Sequence, residues 1–336
     1  MAARRTLHWW LSNFVDWLKP DETAEERIRS QADEIRIRIG GQARADELTI
    51  RSTPRSGSFA KRTGLRRHLT GGSEVEGQDV DLPFVVSPHT KEGEKLTYLL
   101  DRFEQYTAAS YPGTRRKRTK SSIQLDFSGS KLRYDVVPML ATSDPQKQIL
   151  IREDGSHVAT SVQQHIEFIR TRTRVSNELE GRVKFNECVR LVKWWREFRS
   201  SESGLEVPSF LLDLLCADAF DRRSVNEKYP ETMAGWFAWM AHQVSNRQRV
   251  AFSDFTRIPA PKAVAWEVLD PVNQENNVAS RFTLAQLDTL ADWFDDARDR
   301  WNRILRHEAL GNETGMKGEL IALFGTPFKH HCEVSE

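Results

Sequence analysis

The stretch DVDLPFVV, positions 79–86, begins with two aspartates and continues as an apolar run. In a β-strand, side chains two residues apart project from the same face, about 7 Å apart along the backbone. Asp79 and Asp81 are therefore predicted to point together from the head of a strand that is apolar enough to be central in a sheet. Their carboxylates can converge on two metal ions about 3.5–4 Å apart, the separation used in two-metal phosphoryl transfer.

A third aspartate is predicted to lie beside this pair. Residues 122–127 and 131–140 are strand-like and flank Ser-Gly-Ser at 128–130, which predicts a hairpin whose second strand carries Asp135. Clustered carboxylates repel one another unless cations lie between them, and oxygen-only ligands favour Mg²⁺, with Mn²⁺ as a substitute, over zinc. Asp126 competes for the third position, but it flanks the hairpin turn, where an aspartate is commonly solvated or bonded to nearby backbone. The pattern predicts two Mg²⁺ ions held by Asp79, Asp81 and Asp135.

Gly57 and Ser58 lie about twenty residues before the aspartates. A glycine lets the backbone approach a phosphate closely, and a serine offers both a hydroxyl and an N–H group. The pair alone is typical of any turn, so its position relative to the aspartates carries the prediction of a triphosphate grip. Four cationic residues follow, either neutralising a triphosphate or solvated: Lys61, Arg62, Arg66 and Arg67.

Two residues of the second half are candidates for further phosphate contacts. Lys193 falls on the polar stripe of a helix predicted over 183–198, where it either pairs with Glu197 one turn later or binds a phosphate. Ser209 follows Pro208, a residue favoured in the first turn of a helix. Free N–H groups at a helix start attract anions, but a plain helix start explains Ser209 equally well.

The order of elements predicts two lobes. A helix over 7–18 ends before Pro20, and a second helix begins with Thr23 as its N-cap and weakens or ends at Gly40-Gly41. Strands and a helix over 96–110 fill the rest of the first half, whereas helices dominate from about residue 162. The run at 115–118 is interpreted as a solvated loop, or as a basic segment that steers nucleotides or binds RNA. We expect a core lobe with the N-terminal helices over 1–160 and a helical lobe over 161–336.

Composition narrows the class of protein. The 336 residues are 39% hydrophobic and 29% charged, as in ordinary globular proteins. A formal net charge of +1 argues against a dedicated duplex-DNA binder, although a local positive pocket for nucleotides remains compatible with it. Three scattered cysteines form no disulfide framework, and no apolar run approaches the length of a membrane span. We expect a cytoplasmic protein with no membrane partner.

Several segments, in order along the chain, resemble the CD-NTase family, the bacterial cyclic-oligonucleotide synthases of antiphage (CBASS) signalling, which are related to cyclic GMP–AMP synthase and oligoadenylate synthase. GSFAKRT at 57–63 is similar to the family's GS-loop, and DVDLPFVV at 79–86 and RYDVVPML at 133–140 are similar to its metal-bearing strands. CVRLVKWWR at 188–196 and VPSFLLDLL at 207–215 resemble the segments whose lysine and serine hold the donor triphosphate. LDPVNQENNVA at 269–279 resembles a late family segment, to which we assign no role. An insertion-like stretch at 69–77 departs from the family, and no zinc-thumb-like insertion is visible, so activation by DNA is not implied.

The resemblance implies an α+β fold: a DNA polymerase β-like nucleotidyltransferase core, with a mixed sheet and helices, and a mostly helical second lobe, with the active site in the cleft between them. It implies Mg²⁺-dependent synthesis of a cyclic di- or trinucleotide from nucleoside triphosphates, ATP among them. Asp79, Asp81 and Asp135 would then be catalytic metal ligands, and the residues that bind the triphosphate would be Gly57, Ser58, Lys193 and Ser209. Regulatory or effector proteins of the same defence system would be partners. Two alternatives stay open: a linear nucleotidyltransferase of the tRNA-end or oligoadenylate type, and a catalytically silent nucleotide-binding sensor.

Overall fold

A computed structural model of the chain describes residues 6–70, 73–76, 79–88 and 96–333, without the side chains of 70, 73–76 and 331–333. The helices are α1 (Leu7–Leu18), α2 (Glu22–Ala45), α3 (Gly57–Lys61), α4 (Tyr98–Ser110), α5 (Val162–Glu178), α6 (Phe185–Ser203), α7 (Ser209–Arg223), α8 (Tyr229–Ser245), α9 (Leu284–Ala309), α10 (Glu313–Phe324) and α11 (Thr326–Glu333). The strands are β1 (Ile50–Ser52), β2 (Arg67–Thr70), β3 (Ser73–Glu76), β4 (Asp79–Val86), β5 (Arg115–Arg118), β6 (Ile123–Phe127), β7 (Leu132–Ala141), β8 (Gln148–Ile151) and β9 (His157–Thr160).

The chain divides into two compact units that are not consecutive halves. The sheet unit comprises Pro20–Gly64 and Glu76–Glu167, and the helical unit comprises Met1–Lys19, Leu65–Val75 and Phe168–Glu336. The opening helix α1, which the sequence assigned to the first lobe, thus groups with the helices of the second half. The insertion-like stretch at 69–77 supplies β2 and β3, which pair with each other, while residues 71, 72, 77 and 78 lie outside the described residues.

The main sheet is mixed, as the sequence predicted. Its strands follow the order β1-β4-β7-β6-β5, with β8 added to β7 and β9 to β8. β4 and β7 run parallel, and the other neighbours are antiparallel. The predicted hairpin is confirmed as β6 and β7. The strand that carries Asp79 and Asp81 therefore lies directly beside the strand that carries Asp135.

One face of the central strands β4 and β7 is apolar. Alternate residues of β4 and β7, such as Val80, Leu82 and Tyr134, pack with the buried sides of α2 and α4 in one core. On the opposite face, the far ends of the strands are covered where Val85 and Met139 meet residues of α3 and α5. The near ends of β4 and β7 on that face carry polar side chains, because the period of two sends their apolar neighbours to the core.

The structure corrects the expected bounds of α2. Asp21, and not Thr23, caps the helix: its carboxylate accepts a hydrogen bond from the backbone N–H of Ala24 at 2.7 Å. The helix also continues through Gly40-Gly41 to Ala45. A buried stripe from Ile28 to Ala43 recurs every three or four residues, and burying it outweighs the cost of about 1 kcal/mol that a glycine imposes inside a helix.

The basic run at 115–118 is a strand, which corrects the expectation of a loop. It pairs with β6 from Arg115 opposite Asp126 to Arg118 opposite Ile123 and forms an edge of the main sheet. Lysine and arginine are suited to an edge strand, since their charge discourages pairing with another chain.

The helical unit has its own aromatic core. Phe14 of α1 contacts Trp194 of α6, with ring centroids 6.1 Å apart, and Phe328 of α11 at 5.0 Å. Trp195 packs against Phe294 of α9 at 4.8 Å. None of the helices that the structure describes is both long enough and apolar enough to cross a bilayer.

Candidate active site

The candidate site is built on the polar face of the main sheet. Asp81 of β4 lies directly opposite Asp135 of the parallel strand β7, and Asp79 lies opposite Arg133. Residues in register on neighbouring strands project from the same face, and the strands are about 4.8 Å apart. The structure therefore brings all three predicted aspartates to one face of the sheet, at the near ends of two adjacent strands.

Asp135 is the most enclosed of the three carboxylates. Burial raises its pKa above the ordinary value for aspartate; the hydroxyl of Ser122, which donates to the carboxylate at 3.1 Å, opposes this rise, and the charge of Asp79 adds to it. A nearby cation would stabilise the ionised form of this carboxylate, which burial alone disfavours.

Asp79 is more open and has a basic neighbour. Its side chain is 63% exposed and lies 3.4 Å from the guanidinium of Arg133. Arg133 also donates to Asp126 at 2.9 Å, and Gln124 donates to the same Asp126 oxygen at 2.9 Å. Burial alone would raise the pKa of Asp126, but these hydrogen bonds and the charge of Arg133 leave it lowered. Asp126 is thus engaged by Arg133 and Gln124, which supports Asp135 as the third ligand of the predicted set.

Gly57 makes a close approach to this carboxylate face. Its backbone has φ +70°, and an ideal Cβ built on it would lie 2.0 Å from Asp81 Oδ2 and 3.0 Å from Cγ. No other residue type fits here without moving Asp81, and the positive φ favours glycine as well. Gly57 and Ser58 begin the short helix α3 rather than forming only a turn. The predicted phosphate grip therefore borders the predicted metal site.

The donor chemistry of this face fits a hard divalent cation. Its acidic side chains offer oxygen atoms alone, which suits Mg²⁺ or Mn²⁺. Within the described residues, however, no three acidic, histidine or cysteine side chains already converge as a metal cluster. Asp79 is turned toward Arg133, and its side chain is 63% exposed. Binding of metal by the three aspartates stays a prediction.

Lys193 is placed differently from the expectation. Its helix, α6, is buried on several sides, and the Lys193 ammonium lies 2.7 Å from Asp213 Oδ1, with the two side chains 3% and 2% exposed. The expected partner Glu197 pairs instead with Arg196 at 3.0 Å. The polar-stripe interpretation was wrong about the surroundings of Lys193, because α6 contacts α1, α7, α8 and α10 and has no continuous solvent face. Binding of a phosphate by Lys193 stays a prediction.

Ser209 is the first residue of α7, with Pro208 as an N-cap that makes no side-chain capping bond. Its hydroxyl accepts a hydrogen bond from Arg196 Nη2 at 2.9 Å, and Arg196 Nη1 donates to the carbonyl of Val207 at 2.8 Å. Arg196 thus clasps the start of the helix and places a positive charge beside the predicted phosphate-binding serine.

The cationic residues after Gly57-Ser58 have separate environments. Lys61 is buried in the sheet unit, and Arg62 adopts a left-handed backbone with φ 60°. Arg67 belongs to the helical unit, where its guanidinium lies 4.8 Å from the ring centre of Trp17. Of these residues, Lys61 is buried, whereas Arg62 is exposed; binding of a triphosphate by any of them stays a prediction.

The segment at 269–279, to which we assigned no role from the sequence, forms a loop held by hydrogen bonds from its own side chains. The Asp270 carboxylate accepts a hydrogen bond from Asn276 at 3.1 Å. Asn277 accepts one from the backbone N–H of Val268 at 3.0 Å and donates one to the carbonyl of Trp266 at 2.8 Å. Asp270, Asn276 and Asn277 therefore have a structural role, because their hydrogen bonds hold the loop in its conformation.

Sequence reasoning missed four residues of these sites: Ser122, Arg133, Arg196 and Asp213. Arg133 could have been predicted from the sequence. It precedes Asp135 by two positions in one strand, and side chains two residues apart project from the same face. The contacts of Ser122 and Asp213 join separate elements, and no local pattern marks them.

The chain is similar to known proteins over most of its length. Residues 6–172 match the family described as the Second Messenger Oligonucleotide or Dinucleotide Synthetase domain (SMODS). The chain is 28% identical over 312 residues to a protein of Escherichia coli (strain MS 115-1) named cyclic AMP-AMP-AMP synthase, covering 89% of this chain and 91% of that protein. It is 27% identical over 295 residues, 84% of each protein, to the CBASS oligonucleotide cyclase CdnC of Escherichia coli (strain KTE188).

Solved structures give the same relationship. The structure of E. coli MS115-1 CdnC with ATP superposes with a TM-score of 0.76 and 25% identity, covering 96% of this chain and 98% of that one. The structure of the E. coli MS115-1 CdnC:HORMA-deltaN complex superposes with a TM-score of 0.74 at 25% identity, covering 95% and 96%. The fold expected from the sequence is confirmed by these matches.

Proposed function

We propose that this protein, which belongs to the CD-NTase family, uses the carboxylate face of its sheet to join nucleoside triphosphates into a cyclic oligonucleotide second messenger. The reaction forms phosphodiester bonds and releases pyrophosphate, and its product serves antiphage signalling, as in the family's CBASS members. One observation carries the residue assignment: Asp79, Asp81 and Asp135 lie on one face of two adjacent parallel strands, with Gly57 in contact with Asp81.

We infer ATP as a substrate and a cyclic di- or trinucleotide as the product. Two relatives support ATP as the substrate. The 28% identical relative is named a cyclic AMP-AMP-AMP synthase, and a structural relative was solved in complex with ATP. Cyclic triadenylate is therefore the first product to look for.

The carboxylates would bind two Mg²⁺ ions, which when present neutralise the triphosphate and favour ionisation of the attacking ribose hydroxyl. Asp79 and Asp81 would hold both ions, and Asp135 would lie beside the attacking hydroxyl. Ser122 keeps the Asp135 carboxylate in place through its hydrogen bond at 3.1 Å. Asp135 would also accept the proton of that hydroxyl, a role that suits its raised pKa.

The donor triphosphate would lie on the Gly57 side of Asp81. Gly57 leaves room for a phosphate near the backbone, and Ser58 follows it with a hydroxyl and an N–H group. Lys193 and Ser209 of the helical unit would contribute to holding the β- and γ-phosphates, which take up negative charge as the bond breaks. For Lys193 this requires that its ammonium be shared between Asp213 and the phosphate.

The assignment is tested with the Asp79→Asn/Asp81→Asn variant. We expect pyrophosphate release and cyclic product to fall to background, while the thermal unfolding midpoint stays within a few degrees of the wild type. The control is Asp101→Asn, which removes an exposed carboxylate of α4 that pairs with Arg118 on the apolar-face side of the sheet. Turnover by the double variant at the wild-type rate would refute the roles of these carboxylates.

Product analysis separates the two rivals. A linear nucleotidyltransferase yields products that phosphatase shortens at the terminal phosphate, whereas a ring has no such phosphate. A silent sensor releases no pyrophosphate with Mg²⁺ and ATP. Incubation with the four labelled nucleoside triphosphates, followed by phosphatase and chromatography, distinguishes all three outcomes.

We further infer a cytoplasmic location and a regulatory protein partner. The structure of a relative in complex with a HORMA protein supports such a partner. Synthesis rates with and without the HORMA protein of the same defence system, if its gene neighbourhood encodes one, would test the inference.

A further inference from the structure

The edge strand β5 presents two unlike faces. Arg116 and Arg118 share the side of Leu125 and Ile123, with which they are in register, whereas Arg115 and Lys117 are in register with Asp126 and Gln124. Gln124 in turn lies opposite Asp135. Arg115 and Lys117 therefore project from the same face as the three catalytic aspartates.

The two cations on the apolar side have structural duties. Arg118 pairs with Asp101 at 2.6 Å and with Glu104 at 3.1 Å, both on α4. Arg116 donates to the carbonyl of Tyr111 at 2.6 Å. These contacts fasten β5 to the helix and loop beside it.

The two cations on the carboxylate side, Arg115 and Lys117, make few contacts with the described residues. Arg115 is 85% exposed at its side chain, and its nearest carboxylate is that of Asp126, at 3.9 Å. Lys117 is exposed and has no ion pair with any residue that the structure describes. Two exposed positive charges on an enzyme's reactive face are available to bind an anion.

The position of β5 indicates which anion. Across the face, Gly57 borders Asp81, Asp135 follows on the next strand, and Lys117 lies two strands beyond Asp135, about 10 Å at the usual strand spacing. In phosphoryl transfer the attacking and leaving oxygens lie roughly in line. With the leaving pyrophosphate on the Gly57 side, the attacking nucleotide comes from the side of β6 and β5.

We propose that Arg115 and Lys117 bind the 5′-terminal phosphates of the acceptor, which is a nucleoside triphosphate in the first step and a linear 5′-triphosphorylated oligonucleotide in later steps. This rests on the proposed function, because it takes the donor side and the reactive hydroxyl from it. In each elongation step, two cations at the far end of the acceptor lower the rate at which the linear intermediate leaves. In ring closure the 5′-triphosphate of that intermediate is the donor, so it leaves β5 for the Gly57 side, where its pyrophosphate departs as the last phosphodiester bond forms.

The test compares Arg115→Gln/Lys117→Gln with the control Lys120→Gln/Lys147→Gln, which removes two exposed charges outside β5 in the same unit. ATP and synthetic 5′-triphosphorylated linear diadenylate are the probes. For the β5 variant we expect the KM for the diadenylate to rise about tenfold or more, consistent with losing two charge-assisted contacts, and linear product to accumulate. The control and the charge-conserving Arg115→Lys/Lys117→Arg variant should match the wild type.

Binding without turnover gives a second readout. In the inactive Asp79→Asn/Asp81→Asn background, the Kd for fluorescent diadenylate should rise with the β5 substitutions. The slope of log Kd against log[salt] should fall by about 1.4, since two phosphate contacts are lost at about 0.7 each for a single strand. The first-step rate with ATP alone separates binding of the triphosphate acceptor from binding of the linear intermediate.

The possible failures are distinguishable. A wild-type protein that makes no cyclic product contradicts the proposed function. An active wild type whose β5 variant has the same KM, Kd and ratio of linear to cyclic product as the Lys120/Lys147 control overturns the role of β5 alone.

Discussion

Replacing Gly57 with alanine is the sharpest single test of the site geometry. The new Cβ would lie 2.0 Å from Asp81 Oδ2, a separation that real Cβ atoms do not show, so the carboxylate oxygen must move to at least 3.0 Å. We expect the Asp81 side chain to rotate, and the backbone to give by a few tenths of an ångström, because the Asp81 Cβ would lie 3.3 Å from the new methyl group. The displaced group is the carboxylate that we assign to the metals, and therefore activity and stability should respond very differently.

The expected magnitudes follow from these two effects. A non-glycine residue at φ +70° costs about 1–2 kcal/mol, which corresponds to a fall in Tm of about 1–3 °C for a protein of this size. Moving a reactive group by about 1 Å can cost about 100-fold in rate. We expect Gly57→Ala to fold, to melt a few degrees early and to lose at least about 100-fold in kcat/KM for ATP.

Gly155→Ala is the matched control. Gly155 lies in the turn between β8 and β9 with φ +83°, and a Cβ built on it meets nothing within 4 Å. It therefore suffers the same backbone strain without touching the site. Thermal unfolding and pyrophosphate release should show similar losses of Tm for both variants and loss of activity for Gly57→Ala alone. Equal activity of the two variants would refute the close approach of Gly57 to a functional carboxylate.

Three further predictions concern single features. Lys193→Met should destabilise the protein by about 3–5 kcal/mol in urea unfolding, because it strands the buried Asp213 charge, and Lys193→Met/Asp213→Leu should recover most of that loss. If Lys193 also binds the donor phosphates, that double variant stays inactive although it folds. Hydrogen bonds from Tyr106 and then Arg102 lower the pKa of Asp46, so Tyr106→Phe should reduce Tm at neutral pH. The difference should shrink once the pH falls below the ordinary aspartate pKa of about 4 and vanish as the pH falls through the lowered pKa of folded Asp46; a difference that stays constant down to pH 2 contradicts this. Gly41→Ala, which meets nothing within 4 Å inside α2, should stabilise the protein by up to about 1 kcal/mol in the same urea assay, and a loss of stability would show that the glycine has a packing role.

The part of the site that the sequence could predict is the part governed by the period of two. The alternation in β4 and β7 fixed the shared direction of Asp79 and Asp81, and the Ser-Gly-Ser turn identified the hairpin that carries Asp135. Both inferences use neighbours within a few residues, where backbone geometry leaves few options. The sequence predicted that these two strands lie side by side, but not that they run parallel.

Other features depended on contacts that no local pattern contains. Lys193 was assigned to a polar stripe because a helix usually has a solvent face, but nine residues of α6 are buried, from Phe185 to Trp195. The basic run at 115–118 shows no alternation of polar and apolar residues, so its letters do not indicate a strand. What alternates along this strand is the environment of the side chains: one side contacts α4, and the other is exposed to solvent.

The hairpin turn between β6 and β7 therefore influences chemistry as much as folding. Lys131 closes that turn with φ 59°, and its N–H donates to the carbonyl of Phe127 at 2.9 Å. A slip of one residue in a strand exchanges its two faces, so a different turn would bury Asp135 and expose Tyr134. Tyr134 is fully buried and its hydroxyl donates to the carbonyl of Ile28 on α2, so the slipped arrangement loses core packing along with the carboxylate that we assign to the metal site. Because the same register satisfies the core on one side and assembles the carboxylates on the other, the energy that folds the sheet also positions its reactive groups.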